Sequence, residues 1–388
     1  MKIVYLSSAR LPSIRAHGLQ IMRMCDAMAG LGHDVVLLHP AKRQLADSSD
    51  GVPVHQYYSC RNDFAVESVP VFELPYFIWR LPGVLNRPLM NSVNLFFERR
   101  LAKRAVELGA DLYFSRDMTP HAALRISDSG EPCVLEFHQT PSGVLATRSL
   151  RALTSVNSGV YSFAVTRLLA QDIGQVFGLP DGAIDVHHDG VDLEMYENLP
   201  PQQTRSKSVV TYAGSLQSNR GVDILIEAAS LCHGVDFRIV GGASSEVSSM
   251  RSFAANRGVT NISFIGQVPP EEVPGHLQNS DILVVPMRGN ETHTVRHASP
   301  LKLFEYMASG TPIVATDMPS MREIARHRDN AYLVAPDDAA ALADGIKTVL
   351  AEPELSSRMS ANALRDVTEY SWTNRARQII ERSERSSN

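Results

Sequence analysis

Short runs of aliphatic and β-branched residues recur along this chain, each followed by a stretch with helical spacing, and the whole pattern occurs twice. Strand, crossover helix and next strand in that rhythm make parallel sheets with helices on their faces. Residues 2–7 read as a buried strand, 8–18 as a loop, and Leu19, Met22, Cys25, Met28 and Ala29 as one face of a helix. Val35, Val36, Leu37 and Leu38 form the next strand, so a βαβ unit closes within about forty residues. Gly30-Leu31-Gly32 follows a helix and precedes a strand, the reverse of a dinucleotide fingerprint. Further strands are expected at 111–115, 134–137 and 159–165, with a helix at 166–177. Residues 199–208 are polar and proline-bearing, a natural linker. The pattern then restarts, with strands at 209–213, 237–240, 262–265 and 282–285 and a helix at 222–231. The expected fold is α/β, with two doubly wound parallel-sheet domains, 1–198 and 208–371.

A length of 388 residues suits two such domains. Apolar content of 44% and charged content of 20% are those of a soluble globular protein. The formal charge of -5 gives no global attraction to nucleic acid, so no nucleic-acid partner is expected. Cys25, Cys60, Cys133 and Cys232 are far apart in sequence and read as reduced thiols of a cytoplasmic protein. No run approaches the length that spans a bilayer.

The stretch 297–317 carries the densest local information. Ser299 is a good N-cap, Pro300 suits the first helical position, and Leu301, Phe304 and Ala308 share one apolar face. Gly310 supplies a left-handed C-cap, and 313–315 is a short buried strand. A helix mouth of this kind has unpaired N–H groups and a partial positive charge, a ready seat for phosphate. Lys302 adds a full charge there, and Glu305, one turn on, can accept two hydrogen bonds from a ribose diol. Diphosphate at the cap and diol one turn deeper is the outline of a nucleoside diphosphate. An ordinary capped helix packed on a strand satisfies the same residues.

Other candidates lie at strand ends, where open parallel sheets bind ligands. Gly214 to Gly221 is one such loop; it lacks a P-loop ending, but its glycines allow close approach and Arg220 can pair with a diphosphate. Gly18, in the loop feeding the first helix, offers backbone to an anion. Gly241-Gly242 and Gly266-Gln267-Val268 end two further strands. His138 ends the strand 134–137; from the residues alone it reads more readily as a packed or capping histidine than as a catalytic one. His187 and His188 are neighbours on an extended segment and point to opposite faces, a poor chelate, so no metal site is expected. Residues 72–100 interleave Phe72, Tyr76, Phe77, Trp79, Phe96 and Phe97 with Arg80, Arg87, Arg99 and Arg100. That mixture fits core plus solvated face, an acceptor pocket, or peripheral contact with an anionic membrane.

The wording Ser-Pro-Leu-Lys-Leu-Phe-Glu-Tyr-Met-Ala-x-Gly-x-Pro-Ile-Val resembles the donor-site signature of glycosyltransferase family 4, retaining enzymes of the GT-B fold. The resemblance implies two Rossmann-like domains facing an interdomain cleft, the first binding acceptor and the second donor. It makes Glu305 the ribose-holding glutamate, while the position of the family's other glutamate is His297. It makes Arg220 one of two basic residues on the diphosphate; the other position is Ser215. His17-Gly18 partly matches a pair of glycines over the donor phosphate, and Glu136-Phe137-His138 resembles the element whose histidine reaches the transferred sugar. Asp189 replaces an asparagine in a structural turn. Tyr370-Ser371-Trp372 resembles the start of a last helix, about 372–388, that returns to the first domain.

The resulting expectation is a retaining, metal-independent transfer of a hexose from a nucleoside-diphosphate sugar, such as a UDP- or GDP-hexose, to an unidentified glycan, lipid or small-molecule acceptor, with no cofactor. His138, Arg220 and Lys302 are the catalytic candidates. Gly18, Gly214, Ser215, Arg220, Gly242, Gln267, Val268, His297, Ser299, Pro300, Leu301, Lys302 and Glu305 are the donor-binding ones. The alternatives are a nucleotide-sugar epimerase of the same fold and a non-catalytic sugar-nucleotide binding protein. The expected location is cytoplasmic, with peripheral contact at the inner membrane face through 72–100 if the acceptor is a lipid.

Overall fold

The computed structural model describes residues 1–13, 15–41, 52–70, 83–116, 126, 130–141, 148, 150, 159–200 and 205–386, with side chains for all of these except 83–95 and 386. The chain forms two compact units, one of Met1–His187 with Trp372–Asn388 and one of His188–Ser371.

In the first unit, the strands are β1 (Lys2–Ser7), β2 (Asp34–Ala41), β3 (Ala65–Pro70), β4 (Leu112–Arg116), β5 (Cys133–Phe137), β6 (Val160–Ala164) and β7 (Asp185–Val186). They pair in parallel in the order β3-β2-β1-β4-β5-β6-β7. The order reverses direction between β1 and β4, which makes their C-terminal ends the switch point of a doubly wound sheet. Central strands are buried on both faces and so read as continuous apolar runs. In β1, Ile3, Val4, Tyr5 and Leu6 are all fully buried, with Tyr5 stacked on Phe114 at 4.7 Å between ring centroids.

β5 alternates instead. Cys133, Leu135 and Phe137 enter the core cluster shared with Val4, Leu6 and Leu38. Glu136 faces the other side, where the helices Ala16–Gly30 and Trp372–Ser386 supply its hydrogen-bond partners. The Arg167–Phe177 helix begins where the Thr166 hydroxyl accepts the Leu169 N–H and ends at Gly178 in the left-handed region.

Among the elements of this unit that escape the sequence reading are β3, the short helix Val54–Tyr57 and the long helix Gly83–Leu108. Phe97, Leu101, Ala102 and Ala105 form the buried stripe of that helix, while Phe96, Arg99 and Arg100 are exposed. The described half is thus core plus solvated face; Phe72, Tyr76, Phe77, Trp79 and Arg80 lie outside the described residues. No helix among the described residues is long and apolar enough to cross a membrane.

The second unit repeats the plan with β8 (Ser208–Ala213), β9 (Val235–Val240), β10 (Ile262–Gly266), β11 (Ile282–Val285), β12 (Ile313–Thr316) and β13 (Tyr332–Val334). All neighbours are parallel, in the order β10-β9-β8-β11-β12-β13, with the switch between β8 and β11. Residues 188–198, expected within the first domain, pack here. Val191 pairs with Ser371, and Leu193 and Tyr196 lie against the cluster that contains Phe304 and Met307.

A candidate donor site at the second switch point

The C-terminal ends of β8 and β11 and the start of the Leu301–Ser309 helix bring several of the expected residues together. Lys302 is buried, and its Nζ donates to the Tyr212 hydroxyl at 2.7 Å and lies 3.9 Å from the Tyr212 ring centroid. The Tyr212 hydroxyl in turn donates to the Ser215 carbonyl at 2.6 Å. Gly214 follows directly; a Cβ there would stand 2.7 Å from the Lys302 Nζ. Burial, and then Arg220, push the Lys302 ammonium well below the usual lysine range, while Glu305 opposes both. Tyr306, one turn beyond Lys302, accepts the Ala213 N–H at 2.7 Å and pins the end of β8. Neither tyrosine carries a sequence signal, because each looks like an ordinary core aromatic until the fold sets strand end against helix start.

Arg220 ends a short 3-10 turn, Ser218–Arg220, and its guanidinium makes no hydrogen bond or ion pair with any described residue. The turn is held from the β11 side. Gly221 adopts φ 69°, and a Cβ there would overlap the Pro286 carbonyl oxygen. The Arg288 N–H donates to the Asn219 carbonyl at 3.1 Å, and the Arg288 guanidinium pairs with Asp223 and Asp337.

The helix mouth differs from the expectation by one residue. The Leu301–Ser309 helix has Pro300, not Ser299, at its N-cap position, and no side chain caps it. The Ser299 hydroxyl accepts the Asp189 N–H at 3.2 Å, so the incoming chain claims the group expected to cap the first turn. Leu301 is half-buried rather than part of the fully buried face. Gly310 takes the left-handed cap at φ 68° as read from the sequence. His297 is buried at the end of a π-turn, His293–His297, its ring centroid 6.0 Å from that of His293.

Gly241 and Gly242 end β9. Gly241 lies so close to Gly214 that a Cβ would overlap the Gly214 carbonyl oxygen, and Gly242 packs on Leu216. Gln267 is exposed and Val268 half-buried after the edge strand β10; no hydrogen bond ties either side chain to the Lys302 group among the described residues.

In the first unit, Gly18 lies inside the first turn of the Ala16–Gly30 helix, not in the loop before it. Its missing side chain makes room for the Tyr58 hydroxyl, which accepts the Ser13 N–H at 2.7 Å. His138 follows β5, with its Nε2 2.8 Å from the Glu136 Oε1. Nearby, burial and then Arg116 lower the His17 imidazole to about 4. His187 and His188 take separate partners, Tyr161 and Glu323 respectively. Among the described residues no group of His, Cys, Asp and Glu is arranged to hold a metal ion.

The sequence model described as Glycosyltransferase Family 4 matches residues 18–195, and that described as Glycosyl transferases group 1 matches residues 197–366. The chain belongs to glycosyltransferase family 4. Among relatives of this glycosyltransferase is the phosphatidyl-myo-inositol mannosyltransferase of Mycobacterium leprae, 28% identical over 66% of this chain and 68% of the relative. The D-inositol 3-phosphate glycosyltransferase of Nocardia farcinica is 24% identical over 55% of this chain and 49% of the relative. A glycosyltransferase from Rickettsia africae has the same fold, with TM-score 0.74 at 16% identity over 99% of this chain and 98% of that one. HepE from Anabaena, solved in complex with UDP-glucose, aligns with TM-score 0.69 at 17% identity over 99% of this chain and 100% of that one. The glycosyltransferase thus has the GT-B fold.

Proposed function

We propose that this glycosyltransferase moves a sugar from a nucleoside-diphosphate sugar to a hydroxyl acceptor, with retention of configuration and without a metal ion. The observation that carries this reading is the set of charges at the β8–β11 switch. Lys302 and Arg220 are two basic side chains at one strand end, and Glu305 is an acidic one a turn along the same helix as Lys302. A diphosphate takes the two cations and the N–H groups at the Leu301 helix mouth, and Glu305 takes the ribose diol. Leaving-group charge develops on the diphosphate, so these groups stabilise the transition state by electrostatic preorganisation. As the C–O bond to the diphosphate breaks, a diphosphate oxygen takes the acceptor's proton, and no protein nucleophile is required. Ser215, Gly242, Gln267, Val268, Ser299 and Pro300 line the remaining donor surface in this reading, and His297 meets the transferred sugar.

The test is a thermal-shift panel of UDP, GDP, their hexose conjugates and the matching monophosphates. One diphosphate family raises the melting temperature in proportion to its affinity, and Glu305→Ala weakens that binding by about ten- to a hundredfold. His138→Ala leaves donor binding intact and lowers turnover, with activity unchanged by EDTA. A panel in which no nucleotide shifts the transition ends the reading. The names of the two actinobacterial relatives make myo-inositol, inositol phosphate and phosphatidylinositol the first acceptors to try. Co-sedimentation with anionic liposomes tests peripheral contact through 72–100.

A further inference from the structure

The buried polar network behind His138 is more elaborate than packing requires. Glu136 is fully buried, and one of its oxygens, Oε1, receives three side chains. Gln20 Nε2 lies at 2.7 Å, His138 Nε2 at 2.8 Å and Arg375 Nη2 at 2.8 Å. These come from three separate places in the chain: the first helix, the end of β5 and the last helix. Arg375 is itself held, its guanidinium carbon 5.2 Å from the Phe163 ring centroid and 5.7 Å from that of Trp372. Burial would raise the Glu136 carboxyl, but Arg375, His138 and Arg116 outweigh it and hold the group below the usual carboxylate range.

An ionised carboxylate only accepts hydrogen bonds. An unprotonated Nε2 at 2.8 Å would set its lone pair against the carboxylate, so the proton sits on Nε2 and the lone pair of the neutral ring on Nδ1. Gln20 Nε2 lies 3.2 Å from His138 Nε2, as two donors sharing one acceptor do.

We propose that Glu136, clamped by Arg375 and Gln20, is a positioning residue that fixes the orientation and tautomer of His138, so that the last helix sets the chemistry of a residue on the first unit's sheet. This rests on reading His138 as the residue that acts in turnover. The carboxylate presets a ring that would otherwise sample two tautomers and several rotamers, and a misplaced catalytic group loses rate rather than affinity.

The test uses full-length protein labelled with [15N]histidine. Two-bond 15N–1H correlation spectra report the protonated nitrogen directly, and the His138 signal is assigned by its loss in His138→Asn. Wild type shows the proton on Nε2, and Glu136→Gln shifts the ring to a mixture. Arg375→Lys keeps the wild-type pattern, whereas Arg375→Met does not. With UDP-glucose as probe, release of UDP by Glu136→Gln falls about ten- to a hundredfold in kcat with little change in KM. Adding His138→Ala to Glu136→Gln lowers the rate little further than His138→Ala alone. A wild-type spectrum with the proton on Nδ1 overturns the proposal, and needs no variant to fold. So does a Glu136→Gln protein whose tautomer and kcat are those of wild type. If wild type releases no nucleotide from any sugar nucleotide, it is the transfer reading that fails, and the tautomer still decides the positioning role.

Discussion

Lys302 is a cation placed out of reach of water, with Arg220 as a like-charged neighbour. Burial and that neighbour both lower its affinity for a proton, while Glu305 opposes them. A diphosphate reverses the balance. It favours the ammonium, raises its affinity for a proton, and so takes up protons as it binds. Binding is therefore tighter at lower pH, across the window between the depressed pKa and the ordinary lysine value. Calorimetric titration of UDP in two buffers of different ionisation enthalpy should show net proton uptake within that window. Lys302→Met should abolish most of that uptake and weaken binding about ten- to a hundredfold. An uptake that survives in Lys302→Met would assign it to another group. At this scale the sequence singles out Lys302, Arg220 and Glu305 as candidates, because their types and spacing suit an anion and a diol. It does not name Tyr212 or Tyr306, whose hydroxyls matter only through contacts with residues far away in the chain.

The 214–221 loop works as an element because β11 holds it. Gly221 in the left-handed region lets the chain pass the Pro286 carbonyl, and Asn219 is bonded from Arg288. Gly221→Ala adds both a strained φ and an overlap with main chain, which costs about 1–3 kcal/mol or displaces the loop. A lower urea midpoint together with weaker UDP binding is expected. An unchanged pair of values would mean that the loop is not held at this point. Local sequence rules read the Gly310 cap well, since it depends on nearest neighbours. They place the start of the Leu301–Ser309 helix one residue early, because the competitor for the Ser299 hydroxyl is Asp189, more than a hundred residues away. They miss the Gly83–Leu108 helix because its apolar stripe at Phe97, Leu101 and Ala105 is masked by the exposed Phe96, Arg99 and Arg100 beside it.

Each unit has its own sheet and its own apolar clusters, and the parallel, doubly wound class of both was legible in the alternation of strand and helix along the sequence. What alternation could not convey is where chain segments far apart in sequence meet. The helix Trp372–Ser386 belongs to the first unit, where Trp372, Ala376, Ile379 and Ile380 are buried and Arg375 neutralises Glu136. Deleting residues 372–388 removes that apolar cover and leaves a buried carboxylate without its guanidinium, a loss of about 3–5 kcal/mol for the charge alone. The damage should be confined. In hydrogen exchange, amides of β5, β6 and the Ala16–Gly30 helix lose protection, while those of β8, β9 and β11 keep theirs, because none of the deleted residues belongs to the second unit. Equal loss in both sets of strands would show that the two units fold as one cooperative body. Full retention in both would show that the last helix adds nothing to the first unit, and Arg375 could not then be what keeps Glu136 charged.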